Sequence, residues 1–363
     1  MPKPTPLQTR HVHLPSARSI KTLLILLAIC TILLLWPHLS LPFDLDSLTT
    51  SPTPPTGKYA FATILTGEDD TDTDSSSSNP YFTAARLLTY QLLHDPDTRS
   101  ESDIPFLILV TDNVPQTQRD QLTRDGATVV PVESIGRDWV QPKWARWSDV
   151  LAKLNIFTMT AYEKITFLDA DSMLFSAIDG IFTHEGTEIQ RTRGAEFSPG
   201  SNSPDTDNHG EGEREREGEE LPESYLLAGI HDHWVETNLP PDPTKPGGDF
   251  YLRDHYMNAG FFTLAPSEKL FGYYLSLLDK PGAFDPNYPE QNLLNCAHRV
   301  DGRMPWRDLG ESWSRKGASR ADYEGGLKSV HQKWWVKMGD EILDGFVANL
   351  TARMGEFYAE RYV

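Results

Sequence analysis

Lys164-Ile165-Thr166-Phe167-Leu168-Asp169-Ala170-Asp171-Ser172-Met173-Leu174-Phe175 decides the fold of this chain. Its β-branched, aromatic and aliphatic residues predict a buried strand, and the apolar run closes on two carboxylates one residue apart. Open α/β sheets hold their ligands beyond the carboxyl ends of the strands. Hard oxygen ligands delivered there suit a divalent cation, and a divalent cation suits a diphosphate. The same aspartates can equally begin an ordinary turn after a strand, so the flanking sequence has to weigh in.

Upstream, Tyr59 to Thr66 predicts a first strand, and an Asp/Ser-rich loop over 68–80 leads to helical spacing from Tyr81 to Leu93. Ile104 to Thr111 is a second buried strand ending in Asp112. Thr117 to Asp125 is helical, Gly126 stops it, and Ala127 to Val132 forms a third strand. Helical periodicity over Ser148 to Tyr162 then feeds the strand that ends at Asp169. Strands alternating with helices predict an α/β domain with a mostly parallel sheet. Downstream, order resumes at Leu226 to His233, followed by a strand at Asn258 to Leu264 and helices at Glu268 to Leu278 and Pro289 to Ala297.

The chain has 363 residues and a formal charge of -19, enough length for one large or two ordinary domains. Such acidity argues against nucleic-acid binding, which needs Lys and Arg on the phosphates. Much of it is local: residues 185–223 carry twelve acidic side chains against four arginines, and 210–220 is low in complexity. That stretch predicts a solvated, disordered acidic insertion.

Leu23 to Trp36 is apolar apart from Thr31, and extending it to Phe43 reaches the ~20 residues that a bilayer span requires. Lys3, Arg10, Arg18 and Lys21 precede it, with no acidic residue before Asp44. This pattern predicts a cytoplasmic tail at 1–21, a transmembrane signal anchor at 22–43 and a luminal remainder. A cleaved signal peptide is the competing expectation, but no A-x-A-like site follows. The Pro- and Ser/Thr-rich segment 44–57 then forms a stem. The folded domain is expected over 58–345, with 346–363 as a C-terminal tail. Cys30 lies in the anchor, so Cys296 has no luminal partner. Asn349-Leu350-Thr351 is a glycosylation sequon.

Taken together, the motifs resemble the glycogenin-like members of glycosyltransferase family 8. The resemblance rests on Arg146-Trp147-Ser148-Asp149-Val150-Leu151-Ala152-Lys153-Leu154, Leu168-Asp169-Ala170-Asp171, Met257-Asn258-Ala259-Gly260-Phe261-Phe262, Pro289-Glu290-Gln291-Asn292-Leu293-Leu294-Asn295, and His331 with Lys333 and Trp334. It runs from about residue 58 to 340, interrupted by the acidic insertion. It implies a GT-A fold, Rossmann-like with helices on both faces of the sheet. It also implies a UDP-sugar donor and a retaining transfer to a carbohydrate, lipid or protein acceptor. Localisation would be the Golgi or endoplasmic-reticulum membrane, single-pass type II, as in a fungal-type anchored member; a homodimer is compatible with it.

By the same resemblance, Asp169, Asp171 and His331 would hold Mn²⁺ or Mg²⁺. Thr66, Asp112, Lys153, Ala170, Asn258, Ala259, Gly260 and Lys333 would line the donor. The tail departs from the family pattern, since Lys333 follows His331 by two positions without an intervening proline, and Lys337 competes for the phosphate role. Glu290, Gln291 and Lys153 are the catalytic candidates. Each has a plainer explanation: an exposed helix lysine, or an acidic residue in a helical first turn. Asp112 could instead cap the next helix, and His231 and Asp232 could meet the acceptor. Two other functions stay open. One is a relative that binds glycan or nucleotide without turnover. The other is a haloacid-dehalogenase-type phosphatase, whose first motif Phe167 to Ser172 also resembles.

Overall fold

The computed structural model describes residues 57–67, 80–144, 147–194, 221–232 and 255–362. The expected tail, anchor and all but the last residue of the stem lie outside that set, as do residues 195–220 of the acidic insertion. Among the described residues no helix is long and apolar enough to cross a membrane.

Strands β1 (Gly57–Leu65), β2 (Phe106–Val110), β3 (Thr128–Pro131) and β4 (Tyr162–Leu168) run parallel to one another. Short strands β5 (Ser172–Leu174), β6 (Gln190–Arg191) and β7 (Ser224–Tyr225) follow, then β8 (Leu227–His231), β9 (Met257–Leu264), β10 (Arg307–Asp308), β11 (Arg315–Lys316) and β12 (Ser329–His331). The main sheet has the order β10-β8-β9-β4-β1-β2-β3. Only β9 runs against its neighbours, β4 and β8, so the sheet is mixed and mostly parallel.

Helices cover both faces. They are α1 (Pro80–Leu93), α2 (Gln116–Asp125), α3 (Glu268–Leu278), α4 (Pro289–Ala297), the short α5 (Arg320–Glu324) and α6 (Glu341–Arg361). Side-chain alternation along the strands divides the core in two. Ala60, Ala62, Leu107 and Leu109 join Leu270 and Tyr274 of α3 and Leu293 and Leu294 of α4. Phe61, Leu65, Phe106, Ile108 and Val110 join Ala85, Leu88 and Leu92 of α1 and Leu122 of α2. All five residues of β2 and all eight of β9 are buried, as strands covered on both faces must be. Gly126 ends α2 with φ 113°, a backbone state that glycine adopts without strain.

Three expectations need correcting. The segment 148–162 is not an α-helix; Val150–Thr158 forms a 3₁₀ helix. Asn155 Nδ2 donates to Ala152 O and Thr158 Oγ1 to Asn155 O, each 2.8 Å and each three residues back. These local bonds compete with the α-helical pattern. Residues 346–362 are no loose tail, because α6 runs through them. Its Leu350, Met354 and Tyr358 share an apolar cluster with Ala84, Leu87 and Tyr90 of α1. The sequon therefore sits within a helix, where the Thr351 hydroxyl donates to Val347 O at 2.8 Å. The ends of the acidic segment are ordered as well: Gln190 and Arg191 pair with Tyr225 and Ser224, and Thr187 is fully buried.

Candidate active site

Asp169 and Asp171 occupy the turn between β4 and β5 rather than a continuous strand. Two backbone bonds shape that turn: Ser172 N–H donates to Asp169 O at 2.9 Å, and Asp169 N–H donates to Gly260 O at 2.8 Å. The distant His331 arrives through pairing. β5 and β12 run antiparallel, with Ser172 opposite His331 and Met173 opposite Val330. Gln332 N–H then donates to Asp171 O at 3.2 Å, locking the tail beside the turn. As a result His331 Nε2 lies 3.1 Å from Asp171 Oδ1 and 3.4 Å from Asp169 Oδ2. One ligand atom from each of the three residues falls within 4.8 Å of the other two.

The histidine's other nitrogen is oriented too. Nδ1 lies 3.2 Å from Asn258 Oδ1, an oxygen that can only accept, so Nδ1 carries a proton. Nε2 is left facing the carboxylates, the arrangement of a metal-ligating imidazole steered by an outer hydrogen bond. Without an ion a proton on Nε2 serves the same carboxylates. Burial alone would lower the His331 pKa, but Asp171 and then Asp169 outweigh it and hold it above the ordinary value. Burial would likewise raise Asp171, and the His331 charge reverses this to keep its carboxyl below the usual range. Two carboxylates and an imidazole are oxygen and nitrogen donors of the kind that hold a divalent cation. Gly260 supplies the room. A Cβ there would stand 2.2 Å from His331 Cε1 and 2.8 Å from Asp169 Oδ2.

Lys153 is the largest departure from a plain reading of the sequence. It is no exposed helix lysine but only 2 % exposed. Its ammonium donates to Asp169 Oδ1 at 2.9 Å, Ala259 O at 3.0 Å and Glu290 Oε1 at 3.3 Å, above the Phe167 ring. Burial by itself would lower its pKa; Asp169 and Glu290 outweigh that and raise it. Lys153 thus links the aspartate turn to the head of α4. Beside it, Gln291 Oε1 accepts from Ala259 N–H at 3.0 Å, and Gln291 Nε2 donates to Asp232 Oδ2 at 2.8 Å. Asn258 and Ala170 are buried around the same turn.

The remaining predicted residues stand further out. Thr66 and Asp112 follow the paired ends of β1 and β2, where Leu65 lies opposite Val110. Asp112 is exposed, and α2 has Pro115 as N-cap with no side-chain cap, so Asp112 does not cap it. Lys333 is exposed with its ammonium 5.7 Å from the Tyr81 ring centre, and its charge helps to lower Asp171. Lys337 is exposed. His231 lies 3.6 Å from Asp308 and against Trp306, while Asp232 joins Gln291.

Two contributors escape a sequence reading. Lys316 donates to Asp232 Oδ1 at 3.3 Å, and Tyr256, its hydroxyl bonded to Asn292 Oδ1, has its pKa pushed up to about 12 by burial. Lys316 sits in no recognisable motif. Tyr256 offered one faint signal, as an aromatic residue two positions ahead of Asn258.

No family model matches the chain. Galactinol synthase 1 of Solanum lycopersicum is 32% identical over 287 residues, spanning 68% of this chain and 76% of the synthase. An uncharacterized protein of Schizosaccharomyces pombe is 28% identical over 314 residues, spanning 83% of this chain and 80% of its own length. Among solved structures, the glycosyltransferase GlyE of Streptococcus pneumoniae superimposes with a TM-score of 0.43 at 14% identity, covering 84% of this chain and 64% of GlyE. On the strength of the galactinol synthase match, the chain belongs to the glycosyltransferase family that contains the galactinol synthases.

Proposed function

We propose that this glycosyltransferase moves a hexose-type sugar from a UDP-sugar to a glycan, lipid or protein acceptor, with retention of configuration and with Mn²⁺ or Mg²⁺ on the donor diphosphate. The observation that carries this reading is the convergence of Asp169, Asp171 and His331 from two distant segments, with the Lys153 ammonium 2.9 Å from Asp169.

Asp169, Asp171 and His331 are the residues that would hold the cation, which when bound supplies Lewis-acid stabilisation of the leaving diphosphate. Lys153 keeps its charge beside the aspartate turn and fixes Asp169 and Glu290 relative to one another. Because it is already paired, it needs no rearrangement as negative charge develops on the donor side. Asn258 sets the His331 ring through Nδ1, and Gly260 leaves the gap in which that ring fits. Glu290 and Gln291 at the head of α4 face the donor sugar in this scheme, where a carboxylate or amide stabilises oxocarbenium-like charge. The N-terminal sequence supports a type II anchor at 22–43 and a luminal domain in the Golgi or endoplasmic reticulum.

Screening UDP-sugars for Mn²⁺-stimulated hydrolysis and transfer by the purified chain tests the proposal. Asp171→Asn should abolish turnover while leaving the melting temperature of metal-free protein nearly unchanged. A chain that binds UDP no better with Mn²⁺ and hydrolyses no nucleotide sugar would instead be a binding relative.

A further inference from the structure

Lys316 takes no part in the site as the motifs define it, yet the fold delivers it there. β11 runs parallel to β12, and Lys316 is the residue paired with His331. Its ammonium donates to Asp232 Oδ1 at 3.3 Å, and the other oxygen of the same carboxylate accepts from Gln291 Nε2 at 2.8 Å. Gln291 completes the chain by accepting from Ala259 N–H at 3.0 Å. A primary amide has two nearly isosteric orientations, and its neighbours choose between them. Here Ala259 N–H demands the oxygen and Asp232 accepts from the nitrogen, so the Gln291 amide is held at both ends. Asp232 is anchored on the other side by Lys316.

We propose that Lys316 is a positioning residue for sugar transfer: by holding Asp232 it fixes the amide of Gln291 at the head of α4. This rests on the reading of Gln291 as a group that faces the donor sugar. The Lys316 ammonium acts through Asp232, and its pairing with His331 is through the backbone ladder, which a side-chain substitution leaves in place, so the effect falls on turnover rather than on nucleotide binding. Asp232 without its cation is free to turn outward, and the Gln291 side chain is then held at its oxygen alone, by Ala259 N–H.

The test uses the full chain with Lys316→Met and Lys316→Arg, measuring kcat and KM for the UDP-sugar, UDP affinity with Mn²⁺ by calorimetry, and the melting temperature. Lys316→Met should lower kcat about tenfold to a hundredfold, the cost of a misplaced catalytic group. UDP affinity should stay within about twofold of wild type, because binding and turnover are separable readouts. Lys316→Arg should recover much of the lost kcat. Wild-type kcat in Lys316→Met, or parallel losses of kcat, UDP affinity and melting temperature, would overturn the positioning role while leaving the transferase reading intact. A wild-type chain that neither binds UDP with Mn²⁺ nor turns over any UDP-sugar would overturn both.

Discussion

At the scale of single residues the site is a set of charges that need one another. Lys153 is buried and tolerable there only because Asp169 and Glu290 accept from it; a lone buried ammonium would lose its proton or destabilise the fold. Gly260 is the uncharged counterpart of that economy. It lies in β9, and every side chain larger than hydrogen would drive into the His331 ring and the Asp169 carboxylate. Gly260→Ala should therefore displace the imidazole from the aspartate turn. The expected result is a loss of about 10–100-fold in Mn²⁺ affinity, the range seen when groups that orient metal ligands are disturbed. Titrating Mn²⁺ into the purified variant by calorimetry checks this, and unchanged affinity would mean that the three side chains do not act as one ligand set.

At the scale of elements, α4 shows how one helix can serve both stability and the site. Its first turn carries Glu290 and Gln291, and its side chains Leu293, Leu294 and Ala297 are core. The helix closes on His298, wholly buried, with Nδ1 2.6 Å from Met304 O and Nε2 2.7 Å from the Tyr274 hydroxyl. The carbonyl can only accept, so Nδ1 donates and Nε2 accepts from Tyr274, a neutral ring satisfied at both nitrogens. Burial pushes the His298 pKa down to about 4. An unfolded histidine titrates near 6.5, so between pH 6.5 and about 4 the unfolded chain binds a proton that the folded chain does not. Stability from this group is present above that window and is lost as pH falls through it, by at most about 1.4 kcal/mol per pH unit. Denaturant unfolding of wild type and His298→Gln across this window isolates the term, since the carboxylates titrate equally in both. The variant should be less stable at neutral pH and show a shallower decline on acidification; identical slopes would refute the assignment.

At the scale of the whole molecule, what the sequence revealed and what it hid follow from the distance over which each feature is determined. β2, β4 and β9 were readable because strands covered on both faces carry unbroken apolar runs, and α3 and α4 because their apolar residues recur at helical spacing. The aspartate turn was visible as a pair of carboxylates at the end of an apolar strand. Lys153 was not visible as a buried ion pair, because its partners Asp169 and Glu290 come from other elements and a lysine on a helical stretch normally faces water. Lys316 was invisible for the same reason, since only the β11–β12 register brings it to Asp232. The C-terminal helix was hidden by its sparse apolar stripe, Leu343, Leu350, Met354 and Tyr358, interrupted by Gly345 and Gly355. In the folded chain that stripe has a clear purpose. Leu350, Met354 and Tyr358 share one cluster with α1 and with Met173 and Val330, the residues that flank the aspartate turn and His331. Arg86 adds a second tie, pairing with Asp125 of α2 at 2.6 Å and lying over the Tyr358 ring at 4.6 Å. Leu350 is fully buried in this seam, so Leu350→Ala should cost about 2–5 kcal/mol of global stability, as truncation of a core leucine does. Denaturant unfolding followed by circular dichroism measures it. A loss well below about 1 kcal/mol is what an exposed tail position would give, and it would return residues 346–362 to the status of an appendage. A loss in the core range makes α6 part of the domain that carries the site, with truncation before Glu341 expected to expose Leu87 and Tyr90 and to abolish soluble folding.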